Sequence, residues 1–563
     1  MEDSDDSVLR NDKLQMTNFQ WKIKIHLTSY LLRLRSLPVA ILIRSFQMKI
    51  FITLLFLTFT LQAQSTEKLY DEPFRPQFHF TPEKNWMNDP NGLVYYKGEY
   101  HLFYQYNPFG NSWGHMSWGH AVSSDMIHWK HLPVALAEVN GVMIFSGSAV
   151  VDWNNSSGLC NSTDPKDKSC LVAIYTGHVE TPRHESQHIA VSNDRGRTWT
   201  KFAGNPVLDI GSQDFRDPKV FWHEASKKWV MVVSLSKEQK VRLYGSQNLQ
   251  KWDLLSEFGG AGVADKSIQW ECPDLFELPI LGQPNKKSWV MIVNINPGGF
   301  AGGSGGQYFV GNFDGKTFTN DNPVETKLFV DYGKDFYAGV TFSDVPKTDG
   351  RRILLGWMSN WEYAGKEPTS PWRTAQSLPR ELKLRSTPEG LRLWQTPVDE
   401  LKVLRRRTYR APRQLKIGTK INRVQKLPLT GDALEIEGEF KFSPNSGIVI
   451  KLISGKNSDT IIRYDSNSQK LFIYRNNSID VEPDFKRNFF GVHEAPLSLK
   501  KGKVKLRILV DRSSVEVFGN IGETAMSDRL FPPDKNFRLV IEGYGGLTSC
   551  DSLNVWQLKS IWK

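Results

Sequence analysis

Cysteine is scarce in this sequence, with four residues in 563, at positions 160, 170, 272 and 550. So few cysteines in so long a chain exclude a small domain that is held together by disulfides. Their spacing also differs from that of structural zinc sites, in which ligands stand a few residues apart. Cys160 and Cys170 could close one loop between two strands if the protein is exported, and the sequence leaves this pairing open.

A basic surface for nucleic acids is also lacking. The formal net charge is +11, but the lysines and arginines are scattered, apart from a short run at residues 405–407. Neither a basic helix nor a ladder of alternating basic and aromatic residues is present, and these are the features that predict nucleic-acid binding. We therefore expect no nucleic-acid partner.

Long apolar runs are absent, and the short run at residues 50–61 is below the length of a comfortable membrane span. It follows Met48 and Lys49 and precedes the small residue Ala63, which is the pattern of a signal peptide. We predict a signal peptide at 48–63 and an upstream mis-start, disordered, at 1–47. The protein is then exported, to the periplasm or the extracellular space, without stable membrane insertion after cleavage. The alternative is a signal anchor that stays in the membrane.

Helical periodicity is nearly absent, and short apolar runs separated by Gly, Asn, Asp and Pro predict an all-β protein. One turn recurs, in which a Ser is followed by Asp or Asn and then by an aromatic residue. Its copies lie at residues 124–129, 192–199 and 246–252, with a weaker copy at 312–318. Each copy predicts a strand end, a turn and a new strand.

A second signal marks the start of each larger unit, because a turn precedes a strand at residues 89, 146, 217, 274 and 337. These starts are about 57 to 71 residues apart, which is enough for four strands with their turns. Five such units predict a five-bladed β-propeller over 75–395. The first residues of the inner strands then converge on one funnel.

The pattern changes after Pro397. Residues 396–412 form a basic linker, and clean alternation of apolar and polar residues follows, for example at 434–437 and 504–508. Such alternation is typical of half-buried antiparallel strands. It predicts a C-terminal β-sandwich at 413–563.

Three motifs carry candidate chemistry. They are Trp-Met-Asn-Asp-Pro-Asn-Gly at 86–92, Phe-Arg-Asp-Pro at 215–218 and Trp-Glu-Cys-Pro-Asp at 270–274. In this order they resemble the signature motifs of glycoside hydrolase family 32, which contains invertases, inulinases and levanases. The resemblance extends from about Phe74 to Trp562 and includes residues 511–518 of the predicted sandwich.

The resemblance implies a role for each carboxylate. Retaining glycoside hydrolysis needs one carboxylate that attacks the anomeric carbon and one carboxylic acid that protonates the leaving oxygen. By resemblance, Asp89 is the nucleophile and Glu271 the general acid/base. Asp217 stays ionised and stabilises the transition state through sugar hydroxyls, and Arg216 balances the negative charge. Alone, each Asp-Pro pair is more often a structural turn.

Further residues match positions that contact the terminal fructosyl unit in the family, and some have an equally ordinary structural explanation. The expected substrate-binding residues are Asn88, Gln105, Trp113, Phe145, Ser146, Arg216, Asp335, Tyr337 and Trp357. Of these, Trp113 and Trp357 can stack on sugar or can be core residues. Asp335 and Tyr337 are assigned because they stand at the fifth unit start.

His178, His184 and His188 are close in the sequence and invite a metal site. The family needs no metal and no cofactor, so the resemblance implies a rim loop here instead.

The resulting hypothesis is an exported β-fructosidase that releases fructose from levan, inulin or sucrose, acting from the chain end. Three alternatives remain at this point: an endo-acting levanase or inulinase, a related inverting glycosidase with more widely spaced carboxylates, and a fructan-binding propeller without activity.

Overall fold

Strands make up most of the chain in the computed structural model, which describes residues 69–161, 166–418, 425–456, 458–475 and 481–562. The predicted mis-start at 1–47 and signal peptide at 48–63 lie outside the described residues. Within these residues one α-helix, α1, spans Pro483–Phe489, and 3-10 helices span Ala364–Lys366 and Asp399–Leu404. No helix in this part of the chain has the length and apolar character needed to span a membrane.

The first three sheets are antiparallel except for one short parallel pairing, of residues 372–373 with residues 85–86. The first sheet contains β1 (Asn85–Tyr96), β2 (Glu99–Tyr106), β3 (Ser117–Ser123), β4 (Lys130–Leu136) and β20 (Trp372–Arg373). The second contains β5 (Val142–Asp152), β6 (Cys170–Val179), β7 (His184–Ser192), β8 (Thr200–Lys201) and β9 (Leu208–Ser212). The third contains β10 (Phe215–His223), β11 (Lys228–Leu235), β12 (Lys240–Ser246) and β13 (Asp253–Gly259).

A nine-stranded sheet follows. Its strands are β14 (Gln269–Ile280), β15 (Gln283–Asn296), β16 (Gly305–Phe313), β17 (Phe318–Asn320), β18 (Tyr337–Thr341), β19 (Arg352–Met358), β21 (Ala375–Gln376), β22 (Arg380–Thr387) and β23 (Gly390–Pro397). The strands β1, β5, β10, β14 and β18 contact one another in a ring, and each begins at or near a predicted unit start. This part of the chain is a propeller. β14 pairs with β22, so the strands of the last two predicted blades form a single sheet. The count of five blades therefore stays a prediction.

Two antiparallel sheets form the C-terminal β-sandwich. One contains β24 (Arg405–Arg410), β25 (Leu415–Ile417), β27 (Leu434–Phe442), β32 (Lys503–Asp511), β33 (Ser514–Gly519), β34 (Thr524–Arg529) and β36 (Thr548–Leu558). The other contains β26 (Gln425–Gly431), β28 (Ser446–Ser454), β29 (Ser458–Asp465), β30 (Lys470–Arg475), β31 (Gly491–Pro496) and β35 (Phe537–Gly545). Strands such as β29 alternate between buried and half-buried residues, as expected for sheets with one face on a core.

The predicted linker at 396–412 requires a correction. Arg405–Arg410 pairs with β36 and is therefore a strand of the sandwich rather than a connector. Arg405, the first residue of this strand, binds the sandwich carboxylates Glu435 at 2.7 Å and Glu437 at 2.8 Å.

The recurrent turn has a common hydrogen-bond pattern. In each copy one side-chain oxygen accepts two backbone N–H groups two to four residues further on, and the acceptors are Asp125, Asp194, Asn248 and Asp314. Asp and Asn favour turns because their short side chains satisfy the backbone in this way. The repeat is thus a local device that reverses the chain between neighbouring strands.

Cys160 and Cys170 form a disulfide, with their Cα atoms 5.3 Å apart, and this decides the pairing that the sequence left open.

The sandwich packs on the propeller through buried charges. Asp511 accepts hydrogen bonds from the backbone N–H groups of Gln77 and Phe78, and Glu516 accepts one from that of Leu378.

Candidate active site

The five inner strands are irregular where the predicted site residues lie. Each shows a shift in pairing register next to one of these positions, between Met87 and Pro90, Ile144 and Gly147, Arg216 and Lys219, Glu271 and Asp274, and Tyr337 and Val340. Such bulges bend a strand and redirect a side chain. Asp217 and Cys272 have φ angles of 68° and 45°, in the left-handed region that non-glycine residues seldom adopt. The inner strands of the propeller therefore have uncommon backbone conformations around one central cavity.

Asp89 is buried at the base of this cavity. Its Oδ2 accepts a hydrogen bond of 2.6 Å from the Ser146 hydroxyl, and its Oδ1 accepts one of 3.1 Å from the Asn88 amide. Burial, followed by the charge of Glu271, raises the pKa of Asp89 to about 6, although the hydrogen bond from Ser146 acts against this rise. Asp89 is therefore an anion at neutral pH and a carboxylic acid in moderately acidic solution.

Asp217 lies on the next side of the same cavity. Its backbone N–H donates to the Thr176 hydroxyl at 2.9 Å, and its Oδ2 accepts the backbone N–H of Cys272 at 2.9 Å. Burial and the negative charges of Glu271 and Asp89 raise the pKa of Asp217 well above its ordinary range, more than Arg216 lowers it. Burial makes the largest contribution to this rise, and the ionised Asp217 that the family resemblance implies stays a prediction.

Glu271 is more accessible, with 18% of its side chain exposed. Its Oε1 accepts a hydrogen bond of 3.0 Å from Arg216 Nη1, and its Oε2 accepts one from the Tyr337 hydroxyl. Both carboxylate oxygens are thus held by donors that reach the cavity from different strands. Arg216 and Tyr337 fix the direction in which Glu271 faces.

The cavity has a volume of about 350 Å³. Ten of the twelve predicted site residues line it, namely Asn88, Asp89, Gln105, Trp113, Phe145, Ser146, Arg216, Asp217, Glu271 and Tyr337. Two larger cavities, of about 730 and 690 Å³, lie in the sandwich and between the sandwich and the propeller, away from these carboxylates. Chemistry rather than size therefore singles out the central cavity.

Asp335 and Trp357 do not line the cavity, and these two predictions are corrected. The Asp335 carboxylate is fully buried and accepts hydrogen bonds from Arg475 Nη1 and the Arg529 backbone N–H, both at 2.7 Å, so it belongs to the contact with the sandwich. Trp357 is also fully buried and lies behind Trp361, with the ring centroids 4.8 Å apart.

Six residues that line the cavity were missed by the sequence reasoning as substrate contacts. They are His178, Glu180, Arg183, Gln269, Asn296 and Trp361. Trp361 lines the cavity, whereas the sequence had pointed to Trp357, which lies four residues earlier in the chain. Because both residues are tryptophans, the sequence does not distinguish them, and only the packing shows which one reaches the cavity.

The three neighbouring histidines have separate partners. His178 lies between Glu180 and Glu185, His184 contacts Asp209, and His188 contacts Ser186. Within the described ranges no group of three His, Cys, Asp or Glu residues is arranged to hold a metal ion.

Comparisons with known proteins identify the family of this chain. Residues 79–397 match the model for the N-terminal domain of glycosyl hydrolases family 32, and residues 400–557 match the model for the C-terminal domain of that family. A levanase of Bacillus subtilis (strain 168) is 51% identical over 525 residues, which cover 92% of this chain and 75% of the relative. An extracellular exo-inulinase of Aspergillus awamori is 39% identical over 536 residues, which cover 88% of this chain and 96% of the relative.

Solved structures are similar as well. The crystal structure of the exo-inulinase from Aspergillus awamori matches with a TM-score of 0.79 and 38% identity, over 88% of this chain and 100% of that one. A beta-fructofuranosidase from Schwanniomyces occidentalis, complexed with fructosyl-erythritol, matches with a TM-score of 0.80 and 37% identity, over 87% of this chain and 99% of that one. Because the two family models cover both the propeller and the sandwich, this chain belongs to glycosyl hydrolase family 32 and is a glycosidase.

Proposed function

We propose that the protein removes terminal fructose units from β-fructofuranosyl chains of the levan or inulin type, or from sucrose, with retention of anomeric configuration. Asp89 is the nucleophile, Glu271 the general acid/base and Asp217 the residue that stabilises the transition state. The propeller, at 75–395, carries the reaction, and the sandwich, at 413–563, supports it.

The proposed reaction has two steps. Asp89 attacks the anomeric carbon while Glu271 donates a proton to the departing glycosidic oxygen, which yields a fructosyl–enzyme ester and a shortened chain. Glu271, now ionised, takes a proton from water as that water attacks the anomeric carbon. That proton restores the acid form of Glu271. Fructose leaves, and Asp89 is released as a carboxylate.

The observation that carries this proposal is the position of Cys272. Its backbone N–H binds Asp217 at 2.9 Å, its Sγ lies 3.5 Å from Asp89 Oδ2, and it follows Glu271 in the chain. The carboxylates of Asp89 and Asp217 therefore meet at one residue, and Glu271 is near enough for its charge to raise the pKa of both. Retention requires the carboxyl groups of Asp89 and Glu271 to lie about 5–5.5 Å apart, whereas inverting enzymes have a wider gap that admits a water molecule, and the closeness of these charges is what supports retention here.

The shape of the cavity supports action at the chain end. Its volume of about 350 Å³ is near the low end of the range for ligand sites, and it suits one or two sugar rings. Asp89 and Asp217 are only 8% and 6% exposed, whereas Trp113 at the rim is 46% exposed. A sugar bound at Asp89 thus has walls on several sides and continues outward past Trp113.

Relatives support the substrate class and the location. The similar proteins are named levanase and extracellular exo-inulinase. We propose export through the signal peptide at 48–63, to the periplasm or the medium, for this chain as well.

The test is an activity panel with levan, inulin and sucrose at equal fructosyl concentration, with products separated by size. Fructose as the only early product supports action at chain ends, and a ladder of oligosaccharides supports the endo-acting alternative. NMR of the first-formed sugar distinguishes retention from inversion. A folded protein that hydrolyses none of the three substrates would refute the proposed function and favour a binding module.

A further inference from the structure

Glu185 is a fully buried carboxylate that lies outside the cavity wall, and the reaction described above does not use it. Glu185 lies on β7 and accepts two hydrogen bonds from Arg216. Arg216 Nε donates to Glu185 Oε2 and Arg216 Nη2 donates to Glu185 Oε1, each at 2.9 Å. A bidentate pair of this kind fixes the plane of a guanidinium group as well as its distance.

The other edge of Arg216 faces the reaction centre. Its Nη1 donates to Glu271 Oε1 at 3.0 Å and to the Ser236 hydroxyl at 3.1 Å. Because the guanidinium is rigid, fixing the Nε and Nη2 edge also fixes where Nη1 points. Glu185 therefore determines, through one rigid group, which oxygen of Glu271 receives a hydrogen bond.

The charges around Arg216 also point to Glu185. Burial alone would lower the pKa of Arg216, but the charge of Glu185 and, after it, that of Glu271 outweigh burial and raise it. Glu185 thus compensates the positive charge of Arg216 together with Asp214, whose Oδ1 accepts a hydrogen bond of 2.8 Å from Nη2. Of these two carboxylates, Glu185 is the fully buried one and the one that holds two nitrogens of Arg216.

Glu185 also reaches the cavity wall through a second partner. Its Oε1 lies 3.0 Å from His178 Nδ1, and the His178 ring stacks on Phe145 with the centroids 4.1 Å apart and the planes 7° from parallel. Phe145 lines the cavity. One buried carboxylate therefore joins the aromatic wall to the residue that contacts Glu271.

We propose that Glu185 is a positioning residue for the hydrolysis, which holds the guanidinium group of Arg216 in the orientation that binds Glu271 Oε1. This inference rests on the proposed function, because it assumes that Glu271 is the general acid/base.

The test compares three purified full-length variants with the wild type on the best substrate of the panel. Glu185→Gln removes the charge and one of the two bonds to Arg216, and Glu185→Asp keeps the charge but shortens its reach. Glu435→Gln is the matched control, since Glu435 is also fully buried and bidentate to an arginine, Arg405, at 2.7 Å, but lies in the sandwich.

For Glu185→Gln we expect kcat to fall by about 10- to 100-fold with little change in KM, since misplacing a catalytic group costs that much. KM should change little because Glu185 does not line the cavity, whereas a general loss of structure would alter kcat and KM together. Glu185→Asp should also lower kcat with little change in KM. Glu435→Gln should alter neither.

The inference is overturned if folded Glu185→Gln keeps the wild-type kcat, or if it loses activity through KM alone. If Glu185→Gln does not fold, Glu185→Asp decides, because an unchanged kcat in that variant also overturns the inference. An inactive wild type would instead refute the proposed function, so the two failures are distinguishable.

Discussion

The Ser146 hydroxyl donates a hydrogen bond of 2.6 Å to the carboxylate of Asp89 from the neighbouring inner strand. This bond stabilises the ionised form, whereas burial and Glu271 act in the opposite direction and leave the pKa of Asp89 at about 6. The balance of these effects sets the pH at which the proposed nucleophile becomes available.

We expect kcat/KM to fall as the pH drops through about 6, because Asp89 gains a proton there and can no longer attack. Ser146→Ala removes a hydrogen bond that favours the charged form and should move this acid limb upward by about one pH unit. The measurement is kcat/KM against pH for both proteins. An acid limb that stays in place, or that moves to lower pH, would contradict this account of Asp89.

The proposed acid/base role makes a second prediction. Glu271→Gln keeps the size of the side chain and should lower kcat/KM by about 10²- to 10⁴-fold, since general acid–base catalysis contributes that much. Thermal unfolding should remain close to that of the wild type because Glu271 is partly exposed. Full activity in this variant would end the assignment.

Trp361 and Trp357 should behave differently although both are tryptophans of one cluster. Trp361 lines the cavity, so Trp361→Ala should lower kcat/KM by about tenfold, the equivalent of roughly 1.5 kcal/mol of lost contact with sugar. Trp357 is fully buried, so Trp357→Ala should lower the free energy of unfolding by about 3–5 kcal/mol. Steady-state kinetics together with thermal unfolding measure both effects. The opposite pattern would restore Trp357 as a sugar contact.

His79 should make stability depend on pH. It is fully buried, with Nδ1 2.9 Å from Asp511 Oδ2 and Nε2 3.0 Å from Glu516 Oε1. Burial would lower the pKa of His79, but the two carboxylates outweigh burial and raise it. The stabilisation is therefore complete below the ordinary histidine pKa of about 6.5 and is lost as the pH rises through the higher folded value.

We expect His79→Leu to lower the free energy of unfolding by about 3–5 kcal/mol at pH 6, because it leaves two carboxylates without their buried partner. The difference from wild type should be smaller at pH 9 than at pH 6, because the charged form of His79 becomes less populated as the pH rises through its raised folded pKa. Denaturant unfolding at the two pH values tests this. His128→Gln, which alters an exposed ion pair with Asp125, is the control and should change little at either pH. A deficit that is equal at both pH values would contradict the raised pKa.

Local patterns predicted much of the fold. Alternation at 434–437 indicated half-buried strands, and Leu434–Phe442 is such a strand. The recurrent turn was visible because Asp and Asn satisfy nearby backbone N–H groups, which is chemistry within a few residues. The predicted unit starts at 89, 146, 217, 274 and 337 all fall within the inner strands.

Asp335 shows where this reasoning stops. Residues two apart share a face only within a regular strand, and β18 begins at Tyr337. Asp335 precedes that strand, and its backbone N–H donates to the Ser527 carbonyl at 2.9 Å, so its side chain turns toward the sandwich. The sequence around the fifth unit start contains no sign of this contact.

Sequence alone determined which residues could carry the chemistry, because carboxylates, turns and strand periodicity are properties of short segments. Tertiary structure decided which of them share a cavity, which tryptophan reaches its wall, and that Glu185 stands behind Arg216. Those relationships join strands that are distant along the chain, and they depend on bulges and side-chain packing that no short segment specifies.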